Sequence, residues 1–386
     1  MRILHTSDWH LGRVLHQYPL LEDQRAILGQ IIAHCRETAY DALLVSGDLF
    51  DRSLPSEDAV RLWSHFLRDL RAACPELPIL VIAGNHDSGT RVAYAAEALT
   101  LARIHVRGGS EAILAPVPIV SAAGERMQVW MIPFLWAGDL EVLDEDGERL
   151  VRTQEETLKE AIDRIRPLQD PGALQLALSH CFTQGGSVTD SERTLVGTAT
   201  DVDPGLFEPF DYTALGHLHR CQKVTARAWY SGSPLPYSFS EAQDDKGMLA
   251  VELAPGQPPA VTRIPLTAPR PMRRLRGALQ DLLQDPRYAP DTGCLVEITL
   301  RREDAGANPF ALLKTRFPYL LHLDYEPDPA EAAALALGRS TAERPGDLLS
   351  DFRQFAASIG LDPETADTRA ALAEGFITEL AAQESK

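Results

Sequence analysis

Short apolar runs alternate along the chain with longer stretches of helical period. Residues 1–7, 41–47 and 78–84 are bulky and apolar and end in small or polar residues, which predicts buried strands. Between them, "AILGQIIAHC" places Ile27, Leu28, Ile31, Ile32 and Cys35 on one helical face. In "PSEDAVRLWSHFLRDL", Ser56 suits a helix cap and Glu57 and Asp58 suit the positive helix end. Val60, Trp63, Phe66, Leu67 and Leu70 then form the expected buried stripe. This alternation predicts an α/β fold with strands covered on both faces. Further strands are expected at 129–134, 174–180 and 212–217, a helix over "EETLKEAIDRI", and a hairpin from "GMLAVEL" and "AVTRIPL".

Six prolines in residues 255–271 read as a linker or boundary. After them, 294–300 and 319–325 look like strands around a helical "PFALLKTRF", a small α+β domain. From 341 the pattern turns helical, with one stripe through Leu348, Leu349, Phe352, Phe355 and Ala356 and another through Leu372, Phe376, Ile377 and Leu380. Two short amphipathic helices do not bury both stripes unaided, so either the chain's own cap or a second protein covers them. At about 150 residues per domain, the length agrees with a division into 1–265, 266–340 and 341–386.

Composition narrows the class. Apolar residues at 45% and charged residues at 24% describe a soluble globular protein, and no apolar run is long enough to span a bilayer. "MRILHTSD" reads as a strand and not as a signal peptide, so a cytoplasmic protein is expected. Five scattered cysteines without a CxxC pair argue against a disulfide framework or a thiolate zinc site. The net charge of −18 disfavours non-specific binding to membranes or nucleic acid by the chain as a whole.

The candidate chemistry lies just past the strand ends. Strand one leads to Asp8 and His10, strand two to Asp48 and Asp51, and strand three to Asn85, His86 and Asp87 in "AGNHDS". Later strands lead to His180, then His217 and His219. In open α/β sheets ligands bind outside the carboxyl ends of strands. Carboxylate, imidazole and amide donors without sulfur suit Mn²⁺, Fe²⁺ or Mg²⁺, with Zn²⁺ also accommodated. Seven ligands exceed one tetrahedral ion and suit two divalent ions about 3.5–4 Å apart that share a carboxylate. Singly, each residue has a bland reading: a histidine after a strand is usually structural, and "GD" and "GN" are common turn dipeptides. The joint order carries the signal.

D-x-H, G-D-x-x-D, G-N-H-D, a lone His and G-H-x-H together resemble the calcineurin-type metallophosphoesterase superfamily. More narrowly, "MRILHTSDWHLG", "SGDLFD", "AGNHDS", "ALGHLHR" and "YSGSPLPYSFSE" are similar to the SbcD-type nuclease subunits, through residues 1 to about 245. The resemblance implies a β-sandwich flanked by helices, a small capping domain and a helical tail. It implies that Asp8, His10 and His219 hold one metal and that Asn85, His180 and His217 hold the other. Asp48 would bridge them, His86 would be the catalytic histidine, and Asp51 would orient its ring and raise its pKa. It also implies Mn²⁺-dependent cutting of DNA ends and hairpins, a homodimer within a heterotetramer, and an SbcC-type ATPase partner bound through the C-terminal helices.

Arg263, Arg270, Arg273, Arg274 and Arg276 form the most basic segment. It reads equally as a phosphate-binding strip or as a solvated linker. Arg13 and His16 are expected near the metals and a DNA strand, and "GGSVTDSER" is expected as a loop over the site. Two competing functions stand beside the nuclease: another metallophosphoesterase acting on small phosphodiesters or phosphoproteins, and a non-catalytic DNA-end-binding scaffold. The additional residues past the catalytic domain argue against the first, and the complete ligand set argues against the second.

Overall fold

A computed structural model describes residues 1–140, 153–192, 201–304, 306 and 308–327. The predicted tail, 341–386, lies outside these residues, as does the end of the predicted capping domain. Strand β1 (Arg2–Thr6) leads through the small hairpin β2 (Val14–Leu15) and β3 (Tyr18–Pro19) to α1 (Leu21–Glu37). Then come β4 (Ala42–Ser46), α2 (Glu57–Ala73), β5 (Ile79–Ile82), two short helices, α3 (Gly89–Val92) and α4 (Ala96–Thr100), and β6 (Ile104–Arg107). Strands β7 (Val117–Val120) and β8 (Arg126–Ile132), helix α5 (Gln154–Ile165), β9 (Leu174–His180) and β10 (Tyr212–Gly216) follow. The chain continues through β11 (Gln222–Lys223), β12 (Ala228–Tyr230), β13 (Gly247–Glu252) and β14 (Ala260–Pro265).

These strands build two six-stranded sheets, ordered β14-β13-β1-β4-β5-β6 and β11-β12-β10-β9-β8-β7. Strands β1, β4, β5 and β6 run parallel, as do β8, β9, β10 and β12. Side-chain alternation sorts their residues into layers. Ile3, Leu44, Leu80 and Ile82 face Met131, Leu176, Leu178 and Ala214 in one core between the sheets. Leu4, Leu43, Val45 and Val81 face the opposite way, with Ile27, Ile31, Phe66 and Leu70 of α1 and α2. Trp130, Ile132 and Ala177 pack with Leu158 and Ile162 of α5. The expected β-sandwich flanked by helices is therefore the fold, and it leaves the central strands buried on both faces.

The local readings hold with two corrections. Ser56 accepts a hydrogen bond from Ala59 N at 3.2 Å, as expected of a cap. Val60, expected in the core, is 46% exposed, and Ala59, Leu62, Phe66 and Leu70 carry the buried stripe instead. The reason is phase: 59, 62, 66 and 70 follow the three-and-four spacing of one helix face, and 60 lies off it. The proline-rich segment is not a plain linker, since β14 lies within it and pairs antiparallel with β13. All five cysteines are free thiols.

Past β14, strands β15 (Met272–Gly277), β16 (Leu295–Leu300) and β17 (Leu320–Tyr325) form a three-stranded sheet. Helices α6 (Leu279–Gln284) and α7 (Pro309–Arg316) accompany it, close to the predicted α+β pattern. Of the described residues, 1–299, 306 and 308–324 belong to one compact unit. Among the described residues no helix is long and apolar enough to cross a membrane.

Candidate metal centre

Both sheets direct the carboxyl ends of their central strands to one place. Asp8 and His10 follow β1, Asp48 follows β4, and Asn85 and His86 follow β5; His180 ends β9, and His217 and His219 follow β10. Asp8, His10, Asp48, His180 and His219 are at most 2% exposed, and His86 and His217 are buried too. Three sets offer ligand atoms within 4.8 Å of one another: Asp8, His10 and His219; His10, Asp48 and His86; and Asp8, Asp48 and His180.

The backbone is bent to achieve this. Asp8, His10, Asp48 and His217 have φ of 54°, 44°, 48° and 111°. For non-glycine residues this region costs about 1–3 kcal/mol each. Main-chain hydrogen bonds hold the bends: Asp8 N donates to Gly47 O at 3.0 Å, and His10 N to Asp48 O at 2.9 Å. Two glycines leave room for ligands. A side chain on Gly47, whose φ is +92°, would overlap His180, and one on Gly84 would overlap the Asp48 carboxylate. The "GD" and "GN" dipeptides are therefore steric requirements of the site. Asp87 ties the loops together by accepting from Leu49 N, Phe50 N and Gly84 N at 2.9–3.0 Å.

The arrangement of donors and acceptors fits bound cations. His180 Nδ1 lies 2.9 Å from Ser46 O, so in the neutral ring Nδ1 carries the hydrogen and Nε2 the lone pair. That Nε2 faces Asn85 Oδ1 at 3.0 Å and Asp48 Oδ2 at 3.5 Å. His217 Nδ1 also meets Asn85 Oδ1, at 3.1 Å. On the other side His10 Nε2 lies 3.1 Å from His219 Nε2 and 3.6 Å from Asp48 Oδ2. Asp48 is thus nearly equidistant from His10 and His180, where a shared ligand belongs. His10 Nδ1 is buried without a hydrogen-bond partner among the described residues. Carboxylate, amide and imidazole atoms converging in a dry site suit a bound cation.

The protonation pattern agrees. Burial holds His10 well below the usual histidine range, and burial with neighbouring His180 pushes His217 down to about 3, so both are neutral donors. Burial raises Asp8 to about 6, with Asp48 adding to the rise. His180 is the exception: burial opposes its charge, but Asp48 raises it to about 9, and His180 in turn holds Asp48 low. A proton between these two residues occupies the place where a metal would compete.

A supporting shell lies behind His219. Its Nδ1 meets Ser191 Oγ at 2.6 Å, and Ser191 donates to Glu241 Oε1 at 2.5 Å. Lys246 Nζ, itself buried, bonds Glu241 Oε2 at 2.5 Å, His219 O at 2.7 Å and Ser233 Oγ at 3.0 Å. Against the effect of burial, His219 and Lys246 hold the Glu241 carboxyl well below the usual carboxylate range. Such partners fix the tautomer of a ligating imidazole. On the opposite side Gln24 of α1 donates to His10 O at 2.7 Å and accepts from Gly12 N at 3.0 Å. Sequence reasoning gave no individual role to Gln24, Ser191, Glu241 or Lys246; the signals were Ser191 within the expected loop "GGSVTDSER" and Glu241 at the end of "YSGSPLPYSFSE". Replacing Glu241 with alanine would leave the Lys246 ammonium buried and unpaired. A loss of about 3–5 kcal/mol is expected, read from the denaturant midpoint. An unchanged midpoint would show that the pair holds nothing.

The residues expected near substrate divide into several cases. His86 Nδ1 donates to the main-chain carbonyl of Asp51 at 3.0 Å, and His86 N donates to Asp48 Oδ1 at 2.9 Å. Asp51 therefore orients His86 through its backbone. Its carboxylate, expected on the histidine, instead accepts from Arg13 at 2.8 Å, because the strong guanidinium donor is within reach. Arg13 also reaches Ser191 O and lies over the Tyr237 ring, and so braces three segments. His16 is exposed and stacks on His322 at 4.9 Å. The basic segment is largely paired: Arg270 with buried Asp23 at 3.1 Å, Arg273 with Asp291 at 3.6 Å, and Arg274 with Glu297 at 2.7 Å.

Comparison with solved structures gives a protein named as a 5′-nucleotidase from Staphylococcus aureus, crystallised with alpha-ketoglutarate. It is 12% identical at a TM-score of 0.38, over 69% of this chain and 54% of that one. The chain thus spans about half the length of that neighbour. The family model of the calcineurin-like phosphoesterases matches residues 1–221, more than half of the 386. The chain belongs to the calcineurin-like phosphoesterase family, whose members hydrolyse phosphoesters with bound metal ions.

Proposed function

We propose that the chain is the nuclease subunit of an SbcC–SbcD-type complex, cutting DNA ends 3′→5′ and opening single strands and hairpins, with Mn²⁺ as its metal. One observation supports this most. "YSGSPLPYSFSE", one of the blocks that carry the narrower resemblance, is built into the site wall. Its Tyr237 ring lies 5.3 Å from His10 and 5.7 Å from His219, and its Glu241 holds His219 through Ser191. Repair and recombination are the processes such cutting serves.

In this reading Asp8, His10 and His219 would hold one ion, Asn85, His180 and His217 would hold the other, and Asp48 would be shared. Bound divalent ions supply an acidified water and neutralise charge on the phosphoryl oxygens. The protein's part is placement. Asp48 and the imidazoles around it fix the ligand positions, while the surrounding cores exclude bulk water. His86, with its Nδ1 proton committed to Asp51 O, presents Nε2 as the atom that holds or hands over a proton at the departing sugar oxygen.

Assays on linear duplex, hairpin DNA and a small chromogenic phosphodiester, each with Mn²⁺ and with and without the ATPase, test the proposal. Cleavage of the phosphodiester alone would sink it. The paired arginines favour that second outcome, a phosphodiesterase of small substrates, because Arg270, Arg273 and Arg274 of the most basic segment already meet acids. A partner or a dimer would then have to supply the positive charge that a chain of net −18 lacks. Deleting residues 341–386 is expected to abolish co-purification with the ATPase while metal-dependent phosphodiester cleavage persists. Loss of folding on truncation would instead assign the tail to the chain's own cap.

A further inference from the structure

The two sides of the metal centre differ in character. Beside His10 and His86 lie Asp51 and Arg13, an ion pair at 2.8 Å. Beside His180 and His217 lie aromatic rings: Phe134 meets His180 edge-on at 6.2 Å, and Phe182 meets His217 edge-on at 6.2 Å. Trp136 packs edge-on against Phe134 at 4.9 Å and is 53% exposed. Tryptophan's large ring ordinarily contributes by burial. This one is exposed and lies a single ring contact from Phe134, which touches the candidate ligand His180, so its face is open to a group bound there.

Its mounting is rigid. Trp136 N donates to Asp139 Oδ2 at 2.8 Å, and Asp139 N returns a bond to Trp136 O at 3.1 Å. Gly138 N donates to Thr157 of α5 at 3.2 Å, and Phe134 N to Ala83 O at 2.9 Å, beside Asn85. The ring is thus carried on a closed turn tied to both the sandwich and the metal loop. A pre-placed aromatic face costs little to order on binding.

We infer that Trp136 is a stacking platform for a nucleobase of the substrate, next to the phosphoryl group held at the His180 and His217 side. The stack is sequence-tolerant, because every base presents a π-face. It sets which end of the substrate lies over the aromatic side and which over Arg13. The inference rests on the reading of the substrate as nucleic acid, and the following experiment separates the two.

Full-length protein with Mn²⁺ is titrated calorimetrically with deoxyadenosine monophosphate and with 2-deoxyribose 5-phosphate, which shares the phosphate and lacks the base. Wild type is expected to bind the nucleotide roughly ten- to hundredfold more tightly than the sugar phosphate. Trp136→Ala should weaken the nucleotide alone, making the two ligands equal, and Trp136→Phe should restore most of the preference. No preference in wild type, or equal weakening of both ligands in Trp136→Ala, overturns the inference. DNA cleavage is measured separately on the same samples. A Trp136-dependent preference in a chain that cuts no DNA keeps the platform and removes the nuclease. Cleavage without such a preference does the reverse.

Discussion

Asp48→Asn is expected to empty the metal centre and lower phosphodiester hydrolysis by about 10³-fold or more. The asparagine keeps the size and one carbonyl oxygen of aspartate, so Gly84 still accommodates it and His86 N retains an acceptor in place of Oδ1. The negative charge is lost. Asp48 Oδ2 stands 3.6 Å from His10 Nε2 and 3.5 Å from His180 Nε2, the only carboxylate among the described candidate ligands that lies that close to a histidine on each side. Removing its charge weakens both ligand sets at once. Even partners one shell further out change metal affinity by about 10–100-fold. Metal content by elemental analysis and hydrolysis rate should therefore fall together, and high Mn²⁺ should recover only part of the rate. Wild-type metal stoichiometry in the variant would show that Asp48 is not the shared ligand.

Much of this site is readable from the chain. The candidate metal ligands follow strands, and a strand end is marked by an abrupt change from bulky apolar to polar residues. Asp8, His10, Asp48, Asn85, His180, His217 and His219 could be collected on that basis, and the structure brings all of them together at the same sheet ends. The supporting shell follows no local rule. Ser191 and Glu241 lie 28 and 22 positions from His219 and meet it only because a loop and a short turn fold over β10. Gln24 looks like an ordinary polar helix residue until α1 aims it at the bend after β1. Asp51 shows a different limit: a motif indicates which residue faces His86, but not whether its side chain or its main chain makes the bond. The arginines of 263–276 show a third. A run of positive residues is visible in sequence, while the acids that meet it are not marked there: Asp291 and Glu297 belong to later elements, and Asp23 of α1 lies 247 positions from Arg270.

His86→Asn is expected to lower hydrolysis of DNA by about 10²–10⁴-fold without loss of metal, the range for removing a positioned proton donor. His86 holds no place in the two ligand triads assigned above. Its Nδ1 proton goes to Asp51 O and its ring packs edge-on to His10 at 4.6 Å. Metal content should therefore stay at the wild-type level, which separates this variant from Asp48→Asn. The leaving group then tests the role. A sugar oxygen leaves poorly as an alkoxide and needs a proton, whereas p-nitrophenolate leaves readily without one. If His86 supplies that proton, the loss should be large for DNA and small for a p-nitrophenyl ester, and the part of the pH–rate profile that reports the donor should disappear. Equal losses on both substrates would instead assign His86 to electrostatic stabilisation of the phosphoryl oxygens, which both reactions need alike. Full activity with full metal would remove His86 from the chemistry altogether.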